Sequence, residues 1–216
     1  IIEINMVDTI ILLYQWLFVL PFFENSLLIT YLFAYLIGSI PFAFILTNLF
    51  GLGDIRKIGS GNVGATNVLR TGNKYLALAV LILDISKGFF PLFFYLFTSD
   101  HLFISILGLF IVLGHIFPIW LKFKGGKGVA TYIGILFAIN IIIGLIFIIC
   151  WLIVAIIGKY SSLSSILSSI LIIFYSLFFL DPLISLTIFI ISSIIIAKHF
   201  SNIIRLLNKT ENKIRF

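Results

Sequence analysis

The sequence has little charge and almost no cysteine. Asp, Glu, Lys and Arg make up 10% of its 216 residues, hydrophobic residues make up 62%, and the mean hydropathy is +1.26. A soluble domain carries about 25% charged residues, so this composition excludes one and predicts a membrane protein. The single cysteine, Cys150, excludes a disulfide framework and a cysteine-based metal site. No grouping of His, Asp and Glu suggests a metal site of another kind, and we expect no metal and no other cofactor.

Basic residues are missing before position 51, and all fourteen Lys and Arg residues follow it. Most lie in loops between apolar stretches or in the C-terminal tail, whereas the short loops that contain Asp100 and Asp181 have none. Nucleic-acid binding needs a basic patch on a water-facing surface, so the net charge of +6 does not indicate such a partner. The positive-inside rule places the basic loops and the tail in the cytoplasm.

Long apolar stretches predict the transmembrane helices, and they cover residues 27–50, 76–98, 102–121, 129–157, 161–180 and 183–197. The stretch 129–157 could form one tilted helix or two short ones. A single helix would place Lys159 and the basic tail outside, whereas a break near Asn140 keeps every basic loop inside. The sequence therefore predicts an all-α polytopic membrane protein with seven transmembrane helices from residue 27 and a cytoplasmic C-terminus.

Residues 1–26 form an N-terminal extension of unknown role before a single membrane domain, 27–216. Its apolar part, 10–23, is about 14 residues long, against the roughly 20 that a span needs. Glu3 and Asp8 precede this part in place of a basic segment, which argues against a cleaved signal peptide. An extra span, a short interfacial helix and an error in the start of the sequence all remain open.

The first polar segment follows the first apolar stretch and combines three glycines with short polar side chains. Closely spaced glycines allow backbone N–H groups to form an anion-binding nest, and an arginine can hold an oxyanion through two hydrogen bonds. A simple turn would not need so many donors. Ser60 is the candidate catalytic donor, and the candidate substrate-binding residues are Gly61, Asn62, Gly64, Thr66, Asn67 and Arg70.

The second polar segment, 122–128, combines lysines with glycines. It is not a nucleotide P-loop, because Leu121 and Gly128 stand where that motif needs glycine and Ser or Thr. A glycine nest with lysines at its rim still suits a phosphate. The candidate substrate-binding residues here are Lys124, Gly125, Gly126, Lys127 and Gly128.

The third polar segment begins where the last apolar stretch ends. His199 and Asn202 are three residues apart, which places them on one face of a helix, and they are candidate catalytic residues. Within the apolar stretches, the i, i+3 spacing of Asp84 and Lys87 predicts an ion pair that offsets the cost of burial in the membrane. The residues interpreted as structural support for the site are Ser39, Asp84, Lys87 and His115.

These segments resemble the three motifs of the bacterial acyl-phosphate:glycerol-3-phosphate acyltransferase family, PlsY, over about residues 27–213. The matching motifs are Ser60-Gly61-Asn62-x-Gly64-Ala65-Thr66-Asn67-x-x-Arg70, then Gly114-His115-x-x-Pro118 with Phe123-x-Gly125-Gly126-Lys127-Gly128-Val129-Ala130-Thr131, then His199-x-x-Asn202-Ile203-x-Arg205-Leu206. Gly38-Ser39-Ile40-Pro41 and Asp84-x-x-Lys87-Gly88 are also similar to that family.

The resemblance implies transfer of a fatty acyl group from acyl phosphate to the 1-hydroxyl of glycerol 3-phosphate. It implies a multi-pass protein of the bacterial inner membrane with its active site facing the cytoplasm, in contact with membrane lipid. By analogy Ser60 and the loop to Asn67 bind the acyl-phosphate head, Arg70 and Lys127 hold the glycerol phosphate, and His199 and Asn202 orient the reacting groups. One departure is Lys209, which stands where the family has a glycine before Glu211, so the conformation of the tail is open.

Two other functions compete with this one. A transporter or channel for phosphate compounds could use Asp84 and Lys87 to line a path, but the polar residues gather at one face and no internal repeat is evident. An acyltransferase that uses acyl-CoA or acyl carrier protein is disfavoured, because no His-x4-Asp motif is present. We therefore expect neither of these as the direct donor.

Overall fold

The computed structural model describes residues 27–93 and 100–214, and all regular secondary structure within them is helical. The expectations for residues 1–26, for the end of the stretch 76–98 and for Arg215 lie outside the described residues. Ten α-helices and two single-turn 3-10 helices, Ile55–Lys57 and Ile119–Leu121, are present within the described ranges. The α-helices are α1 (Leu27–Gly38), α2 (Phe42–Leu49), α3 (Ala65–Leu69), α4 (Lys74–Phe93), α5 (His101–Ile116), α6 (Val129–Ile139), α7 (Ile141–Gly158), α8 (Ser161–Phe179), α9 (Pro182–Lys198) and α10 (Phe200–Leu207).

Four helical segments are long and apolar enough to cross a membrane: α4, α5 with the 3-10 turn after it, α7 and α8. Two further apolar segments are bent pairs, with 40° between α1 and α2 and 56° between α9 and α10. Helix α6 is apolar but has only 11 residues, about 16 Å of helix. The predicted all-helical membrane protein is confirmed. The count of seven spans and the side of the C-terminus stay predictions.

The long apolar stretch breaks at Asn140. This residue has extended backbone angles, ends α6, and accepts a hydrogen bond from the Ile142 N–H on its side-chain oxygen at 2.8 Å. The cap starts α7 in a new direction, so the break predicted from charge is confirmed. At the other end of α7, the Lys159 carbonyl accepts a hydrogen bond from the Ile214 N–H at 2.7 Å. Lys159 therefore lies at the same end of the molecule as the C-terminal tail.

Helices α4 and α6 cross with their backbones in contact, and glycine allows the approach. A Cβ atom added to Gly88 would collide with the Thr131 carbonyl, and one added to Gly134 would collide with the Ile85 carbonyl. Helices in lipid associate through close packing rather than through a hydrophobic force, which favours small residues at such crossings. The crossing fixes the start of α6, and thus Lys127 and Gly128, relative to α4.

Candidate active site

A cleft of about 450 Å³ lies where the three polar segments meet. It is bordered by the loop before α3, the start of α4, the start of α6, the end of α7, the start of α8, and the junction of α9 with α10. Predicted site residues from all three segments line it, namely Ser60, Asn62, Gly64, Thr66, Asn67, Arg70, Lys127, Gly128, His199 and Asn202, together with Asp84 and His115.

Asn67 organises the first polar loop from inside. Its side chain is buried, and its oxygen accepts hydrogen bonds from the N–H (2.9 Å) and the hydroxyl (3.2 Å) of Ser60. Its amide nitrogen donates to the carbonyls of Ile55 and Ile58. Gly61 has a positive φ of 69°, donates its own N–H to Ile58, and does not line the cleft. The loop therefore presents side chains to the cleft, and the Ser60 and Gly61 N–H groups are bonded within the protein.

The second polar loop is packed against the end of α5. The N–H groups of Gly125 and Gly126 donate to the carbonyls of Ile116 and His115, each at 3.1 Å. A Cβ atom on Gly126 would collide with the His115 ring, which explains the glycine. The predicted glycine nest does not form at these two residues, because backbone carbonyls already occupy their N–H groups. The exposed Lys124 also lies outside the cleft.

A chain of hydrogen bonds joins the second segment to the third. The Lys127 ammonium donates to the Asn202 side-chain oxygen at 2.6 Å, and the Asn202 amide donates to Glu211 at 2.7 Å. The same carboxylate accepts from the Ser162 hydroxyl at 2.9 Å and from Arg205 at 2.6 Å. Glu211 and Ser162 line the cleft but are not among the residues predicted from sequence. Glu211 is the only acidic residue after position 181, a signal that could have identified it.

The tail reaches the cleft because α10 ends in a left-handed turn at Lys209. This residue has a φ of 59°, and the neighbouring Thr210 N–H donates to the Arg205 carbonyl at 2.8 Å while the Lys209 N–H donates to Leu206. These two bonds form a Schellman motif, in which glycine is the usual left-handed residue. Lys209 thus adopts the left-handed conformation in place of a glycine, which settles the conformation of the tail that the sequence left open. The turn brings Glu211 to Asn202.

Burial and neighbouring charges shift the pKa values of two groups in this chain of hydrogen bonds, Lys127 and Glu211. Burial lowers the pKa of the Lys127 ammonium to about 8; Glu211 opposes the shift, and Arg205, Arg70 and Lys198 add to it. Burial raises the pKa of the Glu211 carboxyl, but the hydrogen bonds from Asn202, Arg205 and Ser162 outweigh this, and the net shift is downward. The carboxylate therefore stays ionised, and the Lys127 ammonium loses its proton near pH 8.

His199 presents one ring nitrogen to the protein and leaves the other for a ligand. Its Nδ1 lies 2.8 Å from the Ile195 carbonyl oxygen, and a carbonyl can only accept, so Nδ1 carries the hydrogen. In the neutral ring Nε2 is then the acceptor. Because His199 is buried and lines the cleft, this acceptor can serve a substrate hydroxyl.

The predicted ion pair between Asp84 and Lys87 is confirmed. The two charged groups are 2.7 Å apart, and both side chains are almost fully buried. Lys87 also donates to the Ile40 carbonyl at 2.9 Å, at the break between α1 and α2. His115 lies 3.7 Å from Asp84 through its Nδ1 atom. The pair thus ties the broken first segment to α4 at the wall of the cleft, which Asp84 lines.

Ser39 makes a second link to this break. Its hydroxyl oxygen accepts a hydrogen bond from the Trp120 indole at 2.8 Å, and the hydroxyl donates to the Leu36 carbonyl at 2.7 Å. Trp120 belongs to the short 3-10 helix that precedes the second polar loop. Ser39 therefore connects the broken first segment to the loop segment that leads to Lys127.

The cleft continues from its polar end into an apolar part. Helices α4, α6 and α7 supply this part, with Leu78, Leu81, Ile85, Val129, Ala130, Ile133, Ile148, Trp151 and Leu152. A cavity with cationic and hydroxyl groups at one end and aliphatic side chains at the other suits an amphipathic ligand with an anionic head.

Residues 28–209 match the family model described as Glycerol-3-phosphate acyltransferase. The chain is 54% identical over 187 residues to the glycerol-3-phosphate acyltransferase of Pelagibacter ubique, covering 86% of this chain and 96% of the relative. It is 46% identical over 197 residues to the enzyme of the same name from Bartonella henselae, covering 89% and 93%. Among solved structures it is similar to PlsY (YgiH), an integral membrane glycerol 3-phosphate acyltransferase. The TM-score is 0.85 for the glycerol 3-phosphate form and 0.82 for the lysophosphatidic acid form, with 36% identity over 88% of this chain and 96% of that one.

Proposed function

This chain belongs to the glycerol-3-phosphate acyltransferase family, and we propose that it takes the acyl group from acyl phosphate and transfers it to the 1-hydroxyl of sn-glycerol 3-phosphate. The products are lysophosphatidic acid and inorganic phosphate, and the reaction is the first step of bacterial phospholipid synthesis. The observation that carries the proposal is one cleft in which cationic and hydroxyl side chains suited to phosphates adjoin an apolar part suited to one acyl chain.

Arg70 and Lys127 hold the phosphate of glycerol 3-phosphate in this proposal. Both line the cleft, and Gly128 places the N-terminus of α6 beside Lys127. Helix N-termini favour anions, so the helix adds to the attraction of the two cations. Asn202 accepts a hydrogen bond from the Lys127 ammonium and fixes its position. The Nε2 atom of His199 accepts a hydrogen bond from the 1-hydroxyl and orients it.

Ser60 and Thr66 bind the head of acyl phosphate, and their hydroxyls rotate to it from the long hydrogen bonds that they make with Asn67 (3.2 Å) and Ser161 (3.4 Å). The hydroxyl oxygen of the acceptor attacks the acyl carbonyl carbon, the bond from that carbon to the phosphate oxygen breaks, and the phosphate leaves with the electron pair. As the new bond forms, the hydroxyl proton leaves its hydrogen bond with His199 and passes to an oxygen of the departing phosphate, so the protein needs no strong base. Orientation of the two substrates and hydrogen bonds to the departing phosphate supply the rate enhancement.

The proposal includes a catalytic domain of residues 27–216 in the bacterial cell (inner) membrane, with the cleft facing the cytoplasm. We expect a cysteine at position 159, introduced after Cys150→Ala, to resist a membrane-impermeant thiol reagent in intact cells and to react once the membrane is opened. Asp100→Cys, at the opposite end of α5 from the second polar loop, is the matched control and should react in intact cells. Labelling of position 159 but not of position 100 in intact cells would reverse the orientation.

Lys127 gives the reaction an expected pH dependence. Its ammonium form attracts phosphate and prevails below its pKa of about 8, so kcat/KM for glycerol 3-phosphate should fall as the pH rises through that value. Lys127→Arg keeps its charge at higher pH, so the decrease in kcat/KM should begin at a higher pH. A fall at the same pH in both proteins would assign the titration to another group.

Turnover by the purified protein in detergent tests the proposal against transport, because detergent removes the second compartment. We expect one lysophosphatidic acid for each phosphate released from acyl phosphate, and neither product without glycerol 3-phosphate. Phosphate release without lysophosphatidic acid would contradict the proposal. Binding of both substrates without any product would favour a transporter.

A further inference from the structure

We propose that Ile85, Ile133 and Ile148 form the end of the acyl-chain channel and set the longest acyl chain that the enzyme uses efficiently. The inference rests on the proposed function, since it takes the apolar part of the cleft as the acyl site. These three residues lie on three different helices, and each is the cleft-lining residue of its helix farthest from the polar end.

Helix α4 gives a first measure of the channel depth. Its cleft-lining residues follow one helical stripe that starts at Lys74, passes Ala77, Leu78 and Leu81, and ends at Asp84 and Ile85. The Asp84 carboxylate at this level is paired with the Lys87 ammonium. Ile85 lies 11 positions after Lys74, which corresponds to about 16 Å along a helix. No residue of α4 beyond Ile85 lines the cleft within the described part of the chain.

Helix α7 gives a second measure from the opposite direction, because it ends rather than begins at the polar end. Lys159 follows its last residue, and its cleft-lining residues are Leu152, Trp151 and Ile148. Lys159 does not itself line the cleft, but it marks the polar end of α7, and Ile148 lies 11 positions before it, about 16 Å along a helix. Ile85 and Ile148 therefore lie at a similar distance from the polar ends of their helices.

Packed groups occupy the next helical turn on each side of this level. The backbone of Gly134, the residue after Ile133, meets the carbonyl of Ile85, so no channel passes between α4 and α6 there. On α7, the ring of Phe137 covers Gly144, one turn beyond Ile148. On α4, Phe89 lies one turn beyond Ile85 and stacks on Phe93 at 5.1 Å. The isoleucines thus stand in front of a filled layer.

The side wall of the channel is held in place as well. The Trp151 indole donates a hydrogen bond to the buried Ser165 hydroxyl at 3.1 Å, which ties α7 to α8 beside the channel. The three isoleucines are β-branched, and such side chains have few rotamers in a helix. Extra length in a bound chain therefore meets groups that do not move aside easily.

The depth of the channel corresponds to one leaflet. Half of the roughly 30 Å hydrocarbon thickness of a bilayer is about 15 Å, close to the depth measured along α4 and α7. We infer that the channel accepts acyl chains that fill a single leaflet. Longer chains must bend or leave the channel, and an apolar pocket discriminates against one unaccommodated methylene by about tenfold or more.

The test compares chain-length profiles of kcat/KM, measured with saturated acyl phosphates of stepwise increasing length. Ile148→Phe should lower kcat/KM for the longest chain that the wild type uses by about tenfold, while the shortest chain changes less than about threefold. Ile148→Ala should move the profile the other way, toward longer chains. Ile149→Phe is the matched control, because Ile149 is the next residue, lies 54% exposed and does not line the cleft.

The two Ile148 variants distinguish a length effect from a folding defect, which would lower activity with all chain lengths by the same factor. If the chain-length profiles of both variants differ from the wild-type profile only by a constant factor, the inference is overturned. An equal shift in Ile149→Phe would overturn it too. If the wild type uses no acyl phosphate of any length, the proposed function itself fails.

Discussion

The Asp84→Ala variant is expected to lose about 3–5 kcal/mol of folding stability, because it leaves the Lys87 ammonium as a buried charge without its partner. The two groups are 2.7 Å apart, and their side chains are 3% and 2% exposed. The Ile40 carbonyl, which accepts a second hydrogen bond from Lys87, cannot replace the lost negative charge. Denaturant unfolding of the purified protein in detergent measures the loss.

Two further variants make this expectation specific. Asp84→Ala combined with Lys87→Met removes both charges and should recover most of the lost stability, since replacing a buried pair by apolar groups is often neutral. Arg56→Ala breaks the exposed pair between Arg56 and Asp54 and should change the unfolding midpoint little. Equal midpoints for Asp84→Ala and the wild type would contradict the structural role of the buried pair.

Lys127→Ala is expected to raise the KM for glycerol 3-phosphate by roughly 10- to 150-fold, which corresponds to about 1.5–3 kcal/mol for a hydrogen bond to a charged group. Arg70→Ala should act in the same direction. The KM for acyl phosphate should change less in both variants. Ser60→Ala removes a donor from the other phosphate, so its effect should fall on kcat or on the KM for acyl phosphate.

Steady-state kinetics with each substrate varied in turn separates these effects. Lys122→Ala is the matched control for Lys127→Ala, because Lys122 is an exposed lysine of the same loop that lies outside the cleft. Suppose that Lys127→Ala and Arg70→Ala weaken only acyl phosphate while Ser60→Ala weakens only glycerol 3-phosphate. The assignment of the two phosphates is then reversed, and the family membership is unaffected.

The helical arrangement could be predicted largely because charge and spacing restrict it strongly. Lys159 can share the side of the other basic loops only if the stretch 129–157 breaks, and Asn140 is the polar residue available for that break. The structure places the break there, with the Asn140 side chain capping α7. The Asp84–Lys87 pair followed in the same way from i, i+3 spacing and the cost of an unpaired charge in a membrane.

The bonding within the site could not be predicted in the same way. Composition suggests free donors at Gly125, Gly126 and Asn67, but the N–H groups of all three already donate to backbone carbonyls. Such bonds depend on the packing of the loop against α5, which leaves no periodic pattern. The role of Glu211 depends on a left-handed turn at Lys209, a conformation that is uncommon for a residue other than glycine.

The most direct measurement compares three acyl donors that carry the same fatty acyl chain: acyl phosphate, acyl-CoA and acyl carrier protein. The purified protein receives glycerol 3-phosphate with one donor at a time, and lysophosphatidic acid is quantified. The account predicts lysophosphatidic acid from acyl phosphate and none above background from the other two. Turnover with acyl-CoA or acyl carrier protein, together with none from acyl phosphate, would contradict it.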